Sequence, residues 1–75
     1  MELRIGIQEG LLDKTTHKLM KMITSYISRK YNILPAFMDL EGAIFDVDEQ
    51  LCAKIIDDVK SKFKRQLRYI EVACL

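Results

Sequence analysis

Three groups of residues have types that could do chemistry. The first is Phe45-Asp46-Val47-Asp48, where two carboxylates stand two apart at the end of an apolar run. Acids so placed can divide nucleophilic and acid–base duties. The second is His17, the single histidine of the chain. The third is the pair Cys52 and Cys74, too far apart for a Cys-x-x-Cys motif. A thiol, an imidazole and a carboxylate gathered in one pocket would make a nucleophilic site.

The strand-terminal Asp-x-Asp resembles the nucleophile motif of haloacid dehalogenase-type phosphatases. The resemblance implies that Asp46 attacks phosphorus and that Asp48 serves as acid and base. It covers four or five residues. That family continues with Gly and Thr, whereas Glu49 and Gln50 follow here, and the chain has no room for its later Lys and second acidic pair. Helix capping accounts for the same residues: Asp46 with Glu49 three positions on makes a capping-box pattern, with Asp48 in the first turn.

His17 falls at the edge of a polar helix face, near Asp13 and Lys21 and away from both cysteines. One histidine cannot furnish a His-rich metal site. The cysteines read as small buried apolar residues, with a redox switch or a soft-metal site as the functional alternative. Gly6, Gly10 and Gly42 are scattered, so there is no phosphate-cradling loop. The expectation is a non-enzymatic chain with no catalytic, cofactor-binding or metal-binding residues.

The elements that must position these side chains follow from periodicity. Leu3, Ile5 and Ile7 alternate with Glu2, Arg4 and Gly6, which predicts a strand over 2–7. Over 11–31, Leu12, Thr16, Leu19, Met20, Ile23, Tyr26 and Ile27 share one helical face. Gly10 or Asp13 caps its start. Asn32 suits the left-handed position after its end, with Pro35 just beyond. Residues 35–47 read as a hairpin punctuated at Glu41–Gly42, or as a single strand. Cys52, Ile55, Ile56, Val59 and Phe63 predict a helix over 48–67, and Ile70, Val72 and Cys74 a strand over 69–74.

Two helices cannot cover both faces of four strands. The predicted fold class is therefore α/β (α+β): one domain spanning 1–75, a two-layer ferredoxin-like βαββαβ sandwich with an antiparallel four-stranded sheet and both helices on one face. Right-handed crossovers put the first and third strands at the centre. The last strand then runs antiparallel to the second helix, which brings Cys52 and Cys74 to the same end of the domain, without a disulfide. The first helix, roughly 30 Å long at 1.5 Å per residue, would overhang strands of about 17–20 Å. That overhang predicts fraying or a further packing partner.

Seventy-five residues with 49% hydrophobic and 31% charged composition support a real core and a mixed-sign surface, and argue against disorder. No apolar run reaches the roughly 18 residues of a membrane span. The N-terminal residues alternate apolar and charged, so no signal peptide is read, and a reducing cytoplasm is the expected setting. Net charge is +1, yet the signs segregate. Asp39, Glu41, Asp46, Asp48 and Glu49 form an acidic stretch; Lys60, Lys62, Lys64, Arg65 and Arg68 form a basic one.

Marginal size, the long first helix and a sheet face without helices point to a binding or regulatory module. It would act through self-association or protein docking. Phe37, Phe45, Tyr69 and Leu75 are the candidate interface residues. A nucleic-acid-binding protein is the alternative, holding phosphate on the helix faces through Lys14, Lys18, Lys21, Lys60, Lys64 and Arg68. An enzyme accessory subunit is a third. The pI of 7.8 lies below the usual basic footprint of nucleic-acid binders.

Overall fold

The computed structural model describes residues Met1–Leu75. The chain runs β1 (Glu2–Ile7), α1 (Lys14–Tyr31), β2 (Phe37–Met38), β3 (Gly42–Asp46), α2 (Glu49–Lys62), a 3-10 turn (Gln66–Arg68) and β4 (Ile70–Cys74). It is an α+β protein with one antiparallel sheet in the order β2-β3-β1-β4. The inner strands are β3 and β1; the edges are β2 and β4.

Alternation in β1 fixes the layer structure. Leu3 and Ile5 are buried while Arg4 between them is exposed. Register carries the same phase outward: Leu3 stands opposite Phe45 and Cys74, and Ile5 opposite Ala43 and Val72. All of these point at one core, which also holds Met20, Ile23 and Ile27 of α1 and Cys52, Ile55 and Val59 of α2. Glu2, Arg4, Gly6, Ile44, Asp46, Glu71, Ala73 and Leu75 fall in the other phase, on a face that no helix covers. Gly42 sits where a side chain would overlap the Ile5 carbonyl oxygen, so only glycine lets β3 approach β1 at that point.

Several boundaries differ from the periodicity. Helix α1 starts at Lys14, not 11. Asp13 caps it, accepting from the Thr16 amide at 2.8 Å while Thr16 Oγ1 accepts from the Asp13 amide at 2.9 Å. Leu12 therefore lies outside the helix, 49% exposed. Asn32 takes the left-handed position at φ 54°, ψ 49°, as its spacing predicts. Thr24, outside the apolar stripe read from the sequence, is buried, its hydroxyl donating to the Met20 carbonyl one turn back at 2.8 Å.

The hairpin forms with a short outer strand of two residues. Its turn is held by Asp39, whose Oδ1 accepts from the amides of Glu41 and Gly42. Asp48, not Asp46, caps α2, accepting from the Leu51 amide at 2.7 Å. Asp46 remains in the β3 ladder opposite Glu2, so it cannot cap a helix that begins three residues further on at Glu49. Helix α2 stops at Lys62 and a separate 3-10 turn follows, although neither Gly nor Pro marks the break. Phe63, drawn into the core at 6% exposure, turns the chain back toward β4.

Of the residues expected in the core, Ile23, Ile55, Val59 and Phe63 are buried, and Leu19 packs half-buried at its margin. Phe63→Ala removes a ring that meets Tyr26 edge-on at 5.2 Å. It should cost about 3–5 kcal/mol, read as a large drop in thermal midpoint; a midpoint within a couple of degrees of the parent would contradict this packing.

Candidate functional site

The candidate phosphatase-like pair is divided between two duties. Asp48 is committed to the α2 cap. Asp46 lies 4.0 Å from the N-terminal ammonium with its side chain 85% exposed. His17 is also separate from the acids and the cysteines: its Nδ1 lies 3.0 Å from the Leu40 carbonyl oxygen, tying α1 to the β2–β3 turn. Asp46, Asp48 and His17 thus stand in three separate settings, each with its own partner.

Cys52 and Cys74 do meet, and the expectation of two separate thiols is corrected. They form a disulfide with a Cα–Cα distance of 6.2 Å, joining the first turn of α2 to the end of β4. Cys74 is paired with Leu3 of β1 and faces the core, which is what carries its sulfur to Cys52. Closing a loop of this length stabilises by about 3 kcal/mol in the chain-entropy picture. Reduction by a dithiol should lower the denaturant midpoint by a corresponding amount; an unchanged midpoint would mean that β4 is held fully without the bond.

The residues predicted for an interface do not share one surface. Phe45 is fully buried against the helices, because β3 is read in the same phase as Leu3. Phe37 is 56% exposed and pairs with Ile44 on the uncovered face; Leu75 is 63% exposed at the end of β4. Tyr69 lies at the opposite end of β4, beside Leu11, Leu12 and Leu19 in a cleft of about 420 Å³ on the α1 side. Lys14, Lys18 and Lys21 on α1, Lys60 on α2, Lys64 in the turn after it and Arg68 in the 3-10 turn are all exposed.

Sequence patterning did not reveal a polar cluster between the two helices, centred on Asp58. Its carboxylate accepts from Tyr26 at 2.9 Å, Tyr31 at 2.6 Å and Lys30 at 2.7 Å. Tyr26 and Lys30 are four apart on α1, a spacing visible in the sequence, but their partner lies 32 residues from Tyr26 on α2. The cluster fastens the end of α1 to α2, so the expected overhang is taken up within the chain. Beside it Met22, Ser25, Tyr26, Arg29, Lys30, Lys62 and Phe63 line an open cleft of about 570 Å³. Lys30 is committed to Asp58, and Lys62 stands over the Tyr26 ring at 5.0 Å.

The same bonds set the titration of the cluster. Donation from Lys30, then from Tyr31, holds the Asp58 carboxyl down at about 2 against the opposing effect of burial. Burial, with the bond to Asp58, pushes the Tyr31 phenol up to about 12. The bonds to Asp58 and Tyr26 raise Lys30 above its ordinary value.

No helix is long and apolar enough to cross a membrane. No protein-family model, curated protein or solved structure matches the chain.

Asp58 is ionised lower in the folded chain than in the unfolded one, near 3.9. Its contribution is therefore complete above about pH 4 and lost as pH falls toward 2. Tyr31 has the opposite sign, stabilising below about pH 10 and losing that contribution as pH rises toward 12. Melting curves between pH 2 and 5 should show Asp58→Asn less stable at pH 5 and flatter on the acid side. A parallel acid arm in the variant would place the acid sensitivity elsewhere.

Proposed function

We propose that this chain is a non-enzymatic binding module that acts by self-association or by protein docking, the docking on the side of its sheet that the helices leave open. We read the fold as the ferredoxin-like split βαβ arrangement, a reading that the element order and the strand order β4-β1-β3-β2 support. The observation that supports the function is the uncovered row Phe37, Ile44, Arg4 and Ala73, with Leu75 exposed at its margin. Small soluble chains seldom leave such a face without a partner.

The Cys52–Cys74 bond supports a non-reducing setting in place of the cytoplasm inferred from the N-terminal residues. The lysines on the helices are read as solvated outer faces and dipole partners: Arg29 and Lys30 close α1, and Lys60 and Lys62 close α2.

Sedimentation at low and high salt tests this reading against the alternative. Association through the sheet should give a mass above the 8.8 kDa of one chain that persists in high salt, since screening acts on exposed charges. A chain that stays monomeric but binds a nucleic-acid duplex with steep salt dependence would overturn it in favour of phosphate recognition through the helix lysines.

A further inference from the structure

We infer that the second copy docks on the β4 edge, pairing β4 with its own symmetry mate to make one continuous eight-stranded sheet. The inference rests on the self-association proposed above and places it at the sheet edge, which leaves the open face of the joined sheet for protein docking. Hydrogen-bond phase is the starting point. Glu2 and Leu75 exchange both backbone bonds, at 2.9 and 2.8 Å, and Gln8 donates to the Tyr69 carbonyl at 2.9 Å. With the register Arg4 to Ala73 and Gly6 to Glu71, the backbone groups of Glu71, Ala73 and Leu75 face β1. Those of Ile70, Val72 and Cys74 face away from it, and no strand lies on that side.

The other edge is differently made. Strand β2 has two residues, and Pro35 stands two positions before it, both devices that discourage strand addition. Strand β4 has five residues, no proline and no basic residue; its single charge is Glu71.

The open edge is complementary to itself. An antiparallel mate centred on Val72 sets Val72 against Val72 and Ile70 against Cys74 of the second copy. All the outward amides and carbonyls are then satisfied, in roughly six backbone hydrogen bonds. Glu71 falls opposite Ala73 of the second copy, so no like charges meet. Charge is also matched one strand further in. Arg4 pairs with Ala73 on β1, so across the seam the order on the uncovered face is Arg4, Ala73, then Glu71 of the second copy. Two strand spacings separate the charges, about 10 Å between Cα atoms, within the joint reach of Arg and Glu over a methyl group. Within one chain Arg4 contacts Glu2 at 3.3 Å with its side chain 53% exposed, and the remaining guanidinium nitrogens are free to reach across.

Three variants and the parent, followed by sedimentation over a wide concentration range, test the pairing. Val72→Pro deletes the central outward N–H and leaves the β1 ladder intact, because that ladder uses Glu71, Ala73 and Leu75; far-ultraviolet circular dichroism verifies the fold. It should weaken dimerisation at least about a hundredfold, since it removes two central bonds and sets two proline rings at the seam. Glu71→Arg should weaken it several-fold by facing Arg4, and adding Arg4→Glu should restore it. Phe37→Asp, at the far edge, should leave the dimer unchanged. A Val72→Pro dimer alongside a Phe37→Asp monomer would overturn the edge pairing and leave self-association standing through the open face. A parent that is monomeric throughout would remove both.

Discussion

Leu3 and Ile5 lie on one side of β1, with Arg4 on the other, and β1 is bonded on both flanks. Every other strand inherits its phase from this one. Ala43 and Phe45 in β3, and Ile70, Val72 and Cys74 in β4, face the helices because their registers to β1 place them there. A slip of one residue in either register would turn those side chains out and Ile44, Asp46, Glu71 and Ala73 in. The twelve-residue core, including both helix stripes, depends on that single alternation.

A chain of this size buries a modest fraction of its surface, and two fastenings outside the core compensate. The disulfide ties the end of β4 to the first turn of α2. The Asp58 cluster joins the last turns of α1 to α2 through three donors on one carboxylate. Such charge-assisted bonds are stronger than neutral ones, and the edge-on contact of Tyr26 with Phe63 adjoins them. Both fastenings lie on the helix side, so the uncovered face and the β4 edge are free of intramolecular duties.

The first and last strands, the two helices and the burial of Ile23, Ile55 and Val59 were legible because each has a clear local period, which the two residues of β2 are too few to show. Asn32 and its following proline marked the end of α1 for a local reason as well. What was not legible depends on distance along the chain. Asp58 looks like an ordinary surface acid until α1 is laid beside α2. The proximity of Cys52 and Cys74 followed from topology, but the bond did not, because it needs a Cα–Cα distance that element order alone cannot supply. Phe45 lies in a stretch, Ala43 to Val47, that is mostly apolar in both phases, and only the register to Leu3 decides which face the ring takes. The sequence pattern pairs Asp46 with Glu49 as the cap and puts Asp48 in the first turn; the β3 ladder takes Asp46 and leaves the cap to Asp48.

Residue-resolved amide exchange over a range of chain concentrations addresses the β4 edge most directly. Pairing about Val72 predicts protection that alternates along the strand. Glu71 and Ala73 are protected at every concentration by β1, while Ile70, Val72 and Cys74 exchange freely in dilute chain and become protected as concentration rises. Uniform, concentration-independent exchange at Val72 would contradict it.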